Sequence, residues 1–302
     1  MTPRHFLTGT ELSPQELDGL LGRAVALANE PLASRALEGR SVALVFAKPS
    51  TRTRVSFEVG IFELGGHAVV LRPGEMQLSR GEALRDTAQV LSRHVAAIAV
   101  RTASDADLAE LAEYSRVPVI NMLTDRHHPC QALADLLTLH EAFGRLRGIK
   151  LAYVGDGNNV ARSLALLGSL AGLDVVVAAP DGYQLEADIV PPPGASGTIT
   201  LTDDVREAVA GANVLYTDVW VSMGDEEDAE RRLADLADYR VDDALLDLAA
   251  EGAYAMHDLP AHPGQEITAE VLYGERQLIW LQAENRRHAQ KALLELLVTG
   301  QE

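Results

Sequence analysis

Cysteine is nearly absent from this chain. Its 302 residues contain one, Cys130, so no intrachain disulfide can form and no cysteine cluster can hold zinc. Lysine is scarce too: Lys48, Lys150 and Lys291 stand against 23 arginines, which makes the position of each lysine informative. No apolar run approaches the roughly 18 residues that a membrane helix needs, so no membrane partner is expected. The opening MTPRHFLTGTELSPQELDGLL has no apolar h-region; no signal peptide is expected, and the expected location is cytoplasmic. Positive charge is what the second half lacks. Residues 1–150 carry 17 basic and 17 acidic side chains, whereas residues 151–302 carry 9 and 27, so the whole net charge of −18 lies there. Strong acidity argues against a nucleic-acid partner.

What is present is an ordinary globular composition. An apolar fraction of 47% is too high for a disordered chain. A length near twice the usual domain suggests two domains or one large α/β unit. Most of the carboxylates are expected to be solvated surface. The sharper reading is a division of labour, with anion chemistry in the first half and a cationic ligand in the second.

Short runs rich in Val and Ile alternate with helical stretches. SVALVFA (41–47), HAVVLR (67–72), AAIAVR (96–101) and VPVIN (117–121) read as buried strands. After residue 149 the alternation resumes with KLAYVG, DVVVAA, VLYTDVW and AYAMHDL. Strands alternating with helices imply parallel sheets. The fold class expected is therefore α/β, with two doubly wound parallel-sheet domains joined by the helical run 130–146. The last segment, ENRRHAQKALLELLVTG, is expected to form an amphipathic helix that packs back on the first domain. That gives one domain of residues 1–138 completed by 285–302, and a second of residues 139–284. Ligands of open α/β sheets bind beyond the carboxyl ends of the strands, and every motif below follows a predicted strand. A site in the cleft between the two domains is expected.

Lys48-Pro49-Ser50-Thr51-Arg52-Thr53-Arg54 follows the first strand. Hydroxyls, guanidinium groups and a helix N-terminus together favour an anion, and arginine adds bidentate hydrogen bonds to phosphate oxygens. The spacing is not that of a Walker A loop. A Ser/Thr helix cap followed by solvated arginines is the plainer alternative; two hydroxyl–arginine couples beside one of three lysines favour phosphate. His128 taken alone would be a hydrogen-bonded structural histidine, and Cys130 a small buried hydrophobe. Gly155 and Gly157 after a strand lack the spacing of a dinucleotide loop.

The segment F-x-K-P-S-T-R-T-R-x-S-F-E (46–58) resembles the carbamoyl phosphate signature of the aspartate/ornithine carbamoyltransferase superfamily. His128-Pro129-Cys130-Gln131, Asp156-Gly157-Asn158-Asn159-Val160, Asp218-Val-Trp-Val-Ser222-Met223-Gly224 and Glu284-Asn285-Arg286 resemble further motifs of that family, in its order, from about residue 5 to 295. D-x-x-x-S-M-G points to the ornithine branch. The resemblance implies transfer of a carbamoyl group from carbamoyl phosphate to the δ-amine of L-ornithine, giving L-citrulline and phosphate, without metal or organic cofactor. It implies carbamoyl phosphate binding by Ser50, Thr51, Arg52, Thr53, Gln77, Arg101, His128, Gln131, Asp258, Leu259 and Arg286. Catalytic roles fall to Arg101, His128, Asp258 and Arg286, and ornithine binding to Asn159, Asp218, Ser222 and Met223. It further implies a homotrimer or a multiple of trimers, in which Gln77 reaches a neighbouring subunit's site.

The departure is at 257–260, where the branch reads H-C-L-P and this chain reads His257-Asp258-Leu259-Pro260. A carboxylate beside the incoming amine stabilises its protonated, non-nucleophilic form, or else accepts its proton; sequence leaves both open. Two alternatives therefore stand beside the ornithine reaction: a carbamoyltransferase for another amine, and a catalytically impaired ligand-binding paralogue.

Overall fold

A computed structural model of the chain describes residues 3–72, 74–77, 81–222 and 226–300. It divides into two compact units, Met1–Leu137 with Glu284–Glu302, and Thr138–Ala283.

The first unit runs α1 (Pro14–Asn29), β1 (Ser41–Phe46), α2 (Thr51–Glu63), β2 (His67–Leu71), α3 (Leu84–Leu91), β3 (Ala97–Arg101), α4 (Asp105–Tyr114), β4 (Val119–Leu123) and the start of α5 (Pro129–Phe143). Its four strands are parallel in the order β2-β1-β3-β4. The central strands β1 and β3 are mostly apolar and buried along nearly their whole length, as in a sheet covered on both faces; Ala43, Ile98 and Val100 pack under Leu108 and Leu111 of α4. The register pairs Phe46 with Arg101. The strand order reverses between β1 and β3, so both the loop into α2 and the end of β3 lie at this sheet's switch point, where ligands of such sheets sit. At the start of α1, Ser13 and Glu16 form a reciprocal capping box that satisfies two otherwise unpaired helix donors.

The second unit runs β5 (Lys150–Val154), α6 (Asn159–Ala171), β6 (Asp174–Ala178), β7 (Thr198–Thr202), α7 (Val205–Val209), β8 (Val214–Thr217), α8 (Ala229–Asp235), α9 (Asp243–Leu246), β9 (Tyr254–His257) and α10 (Ala269–Tyr273). Its sheet is parallel in the order β7-β6-β5-β8-β9, packed on a cluster that includes Ala152, Val154, Leu215, Trp220 and Ile267. Here the switch point lies between β5 and β8, below the DGNN segment and Asp218. The pairing of Thr217 with His257 makes Asp218 and Asp258 the first residues beyond two adjacent strand ends.

The expected α/β class with two parallel sheets is what the chain adopts, and α11 (Ile279–Thr299) carries the chain back into the first unit from Glu284 onward. Three details differ. The fourth strand begins at Val119, not Val117, because Pro118 has no N–H to give a ladder. Strand β7 was not anticipated; it is the sheet's edge, with a largely polar sequence, TITLT. And α11 is not amphipathic in the expected sense, since Gln282, Asn285, Arg286, His288, Gln290 and Lys291 are all buried.

Candidate active site

In the first unit the site is built on three strand-to-helix junctions. Ser50 caps α2 by accepting the Thr53 N–H at 3.3 Å, which fixes the turn carrying Thr51 and Arg52. Thr53 is buried one turn in, Thr51 is exposed, and Ser50 and Arg52 are half-buried. Arg101 ends β3 and is buried, and His128 and Gln131 enter α5, both buried. Arg286 comes from α11 and closes the group: its guanidinium donates to the Thr53 hydroxyl at 2.7 Å and to the Gln131 carbonyl. Gln131 in turn donates to Asp135 at 2.8 Å, so its carbonyl is aimed at the arginine.

The His128 ring is held well below the usual histidine range, first by burial and then by the charges of Arg286, Arg101 and Arg52. Three guanidinium groups thus converge on a neutral imidazole. A neutral imidazole has one N–H to give to a carbonyl oxygen, while the guanidiniums supply the field for an anion. Lys48 and Arg54, also part of the motif, are drawn off by carboxylates: Lys48 pairs with Asp125 at 3.1 Å and Arg54 with Glu58 at 2.7 Å. Cys130 donates to the Asn121 carbonyl, and burial pushes its thiol up to about 12. It is the small buried hydrophobe expected from its type. Gln77 is exposed.

In the second unit Asn158 caps α6, accepting from the N–H groups of Val160 and Ala161. Its amide donates to Asp218 at 2.7 Å, and the Val219 N–H donates to the other oxygen of that carboxyl, also at 2.7 Å. Asn159 and Ser222 are half-buried nearby in the sequence; Met223 lies outside the described residues. Asp218 is buried, and its carboxyl is held well above the usual range by burial and by the neighbouring Asp258 carboxylate. His257 lies between the strand end and the turn. Its Nδ1 accepts the Leu259 N–H at 2.9 Å, and its Nε2 faces Glu266 Oε1 at 3.1 Å. The Leu259 backbone has φ of 63°, a left-handed conformation costly for a leucine, and the bond to His257 helps hold it.

One oxygen each of Asp218 and Asp258 and a ring nitrogen of His257 lie within 4.8 Å of one another. Both nitrogens of His257 are committed to the hydrogen bonds just described. The trio therefore offers carboxylates but no spare imidazole lone pair, a poor donor set for a transition metal. Sequence reading missed four supporting residues. Asn158 had a signal, since an Asn immediately before a helix is the preferred cap. Glu266, Gln282 (whose carbonyl takes the His257 N–H at 3.1 Å) and Arg232 had none. Arg232 bonds Asp156 and the Trp220 carbonyl, and lies over Tyr183 at 5.0 Å.

Two family models match. Residues 4–141 match the carbamoyl-P binding domain of aspartate/ornithine carbamoyltransferase, and residues 147–297 match its Asp/Orn binding domain. Among the relatives, the ornithine carbamoyltransferase of Acidothermus cellulolyticus is 53% identical over 307 residues, covering 98% of this chain and 96% of that one. That of Methanoculleus marisnigri is 50% identical over 301 residues, covering 98% and 97%. The solved ornithine carbamoyltransferase of Pyrococcus furiosus is 44% identical, with a TM-score of 0.90 and coverage of 99% and 98%. With both halves matched in order, the chain belongs to the aspartate/ornithine carbamoyltransferase family.

Proposed function

We propose that the chain transfers the carbamoyl group of carbamoyl phosphate to the δ-amine of L-ornithine, giving L-citrulline and phosphate. The observation that carries this is the neutral His128 beside Arg52, Arg101 and Arg286, a combination suited to a phosphate ester bearing a carbonyl. Ser50, Thr51, Arg52 and Thr53 hold the phosphate, using hydroxyls, a guanidinium and the first N–H groups of α2. Arg101, His128 and Thr53 face the carbonyl oxygen, where negative charge grows as the amine adds. Gln131 holds the carbamoyl nitrogen, and Arg286 reaches the phosphate or the carbonyl. Asp258 and Leu259 lie on the turn whose backbone carbonyls take the carbamoyl N–H groups.

Asn159, Asp218, Ser222 and Met223 read the α-amino and carboxylate groups of ornithine. The δ-amine, with a free pKa near about 10.4 by analogy with lysine, attacks once neutral, and much of the rate comes from orienting two bound reactants. The finer reading is a cytoplasmic enzyme of arginine biosynthesis, built as a homotrimer in which Gln77 reaches the neighbouring subunit's phosphate. It rests on the family resemblance and the exposure of Gln77.

The experiment is incubation of purified protein with isotopically labelled carbamoyl phosphate and a panel of amines, read by mass spectrometry. Labelled citrulline is the expected product. Label appearing in another amine alone would replace the acceptor. No transfer to any amine, with carbamoyl phosphate still bound, would make the chain a ligand-binding paralogue.

A further inference from the structure

We propose that Asp105 is a positioning residue for His128, acting through His127 and Thr124. This deepens the reading above and rests on it. His128 stands where the turn after β4 enters α5, and that turn is closed on itself. The Thr124 N–H donates to the His127 carbonyl at 2.8 Å, and the His127 N–H donates back to the Thr124 hydroxyl oxygen at 3.1 Å. The Thr124 hydroxyl donates in turn to Asp105 Oδ1 at 2.9 Å, and the same oxygen faces His127 Nδ1 at 2.7 Å. An ionised carboxylate only accepts, so this contact puts a ring proton on Nδ1.

Asp105 is itself fixed. It is the first residue of α4, whose cap Ser104 accepts the Asp107 N–H at 3.1 Å, and the start of a helix favours a carboxylate. It also lies four residues beyond Arg101, the last residue of β3. One carboxylate thus ties the loop that follows Arg101 to the turn that delivers His128. The Asp125 N–H, bonded to the Ala103 carbonyl at 2.9 Å, runs between the same two segments. Arg101 and His128 are both buried, and both face the carbonyl oxygen in the reading above.

The effect on the reaction follows from where charge grows. Carbamoyl phosphate is held in the ground state chiefly by the groups at the start of α2, a turn with its own cap in Ser50. His128 donates to an oxygen that becomes more negative as the amine adds, so its placement counts most in the transition state. The His127 side chain is only 11% exposed and Thr124 is fully buried. Water is therefore a poor replacement for the carboxylate, and its loss leaves buried donors to find new directions. Asp105 makes and breaks no reactant bond; it keeps an imidazole aimed.

The test compares full-length wild type with Asp105→Ala, Asp105→Asn and Thr124→Val. Steady-state kinetics with ornithine give kcat, calorimetry gives the Kd of carbamoyl phosphate, and urea midpoints confirm that each protein is folded in the assay. Asp105→Ala is expected to lower kcat about 10–100-fold, the cost of misplacing a group by about an ångström. Its carbamoyl phosphate Kd should stay within about twofold of wild type, because ground-state binding is left in place. Asp105→Asn keeps an oxygen acceptor for both bonds and should recover most of kcat. Thr124→Val keeps the shape but removes the hydroxyl, and should show a smaller loss of the same kind.

Asp105→Ala with wild-type kcat would overturn the inference. So would a fall in kcat matched by an equal weakening of carbamoyl phosphate binding and a lower urea midpoint, the mark of a merely structural residue. An Asp105→Asn protein as impaired as Asp105→Ala would overturn it too. If Asp105→Ala does not fold, Thr124→Val carries the test, and an unchanged kcat there refutes the network. A wild type that forms no citrulline sinks the functional reading itself, and the assignment of Asp105 falls with it. A wild type that forms citrulline beside an equally active Asp105→Ala sinks the assignment alone.

Discussion

Replacing Arg286 by methionine tests the first unit's anion site at its most connected point. The substitution keeps an unbranched chain that fits a 3% exposed position but removes the charge and the hydrogen bonds to Thr53 and to Gln131. A hydrogen bond from a charged group contributes about 1.5–3 kcal/mol, so loss of the one that reaches carbamoyl phosphate weakens binding roughly 10–150-fold. Arg52 and Arg101 remain, which keeps the loss from being total. Stability responds with two opposed effects. Thr53 and Gln131 are left without their buried donor, at about 1–3 kcal/mol each, while repulsion among three clustered guanidiniums is relieved. A second readout is His128. Arg286 is the largest charge holding its ring down, yet burial acts more strongly than any charge. In Arg286→Met the ring should therefore titrate higher than in the wild type while staying below the usual histidine range. Calorimetry with carbamoyl phosphate and NMR titration of the imidazole measure both. Carbamoyl phosphate affinity within twofold of wild type would refute the assignment of this arginine to the anion.

Lys291 is buried against Glu63 and the carbonyls of Leu27 and Pro31, so Lys291→Met strands a carboxylate and should cost about 3 kcal/mol, toward the low end for a broken buried pair because Arg287 stands 3.4 Å from Glu63. Adding Glu63→Gln should recover most of that in urea denaturation; a double variant as unstable as the single would refute the pairing. Glu16 is held down to about 2 by Arg4 and by the Ser13 N–H, so its stabilisation is present above the unfolded value of 4.5 and is lost as pH falls toward 2. Glu16→Gln should therefore lower the urea midpoint at pH 7, by an amount that shrinks with salt because the carboxylate is 39% exposed, and the two proteins should converge near pH 2. With its thiol pushed up to about 12, Cys130 should resist iodoacetamide at pH 8 until the protein unfolds, and rapid labelling of the folded protein would contradict its burial.

What the sequence reveals depends on whether a residue's partner is local. Parallel strands covered on both faces are short apolar runs, so β1, β3, β5 and β6 were legible from Val, Ile and Ala alone. The edge strand β7 was not, because one flank lacks a neighbour and its alternating Thr residues carry no apolar run. The anion loop was legible because its hydroxyls and arginines are contiguous, and the helix cap at Ser50 is a local event. Contiguity does not reveal that Lys48 and Arg54 pair with Asp125 and Glu58. Arg286 sits 233 positions from Thr53, and a motif match, not a periodicity, pointed to it. Polarity on α11 misled for the same reason: a helix face that buries Arg286, Lys291 and Asn285 has the composition of a solvated one. The acidity of the second half is the subtlest case. Counting charges puts two anions at Asp218 and Asp258, but their strands are neighbours, so burial and the second carboxylate hold the Asp218 carboxyl well above the usual range. A carboxylate's formal charge is a property of its sequence; whether it acts as a counter-ion or as a base is decided by what lies across the sheet.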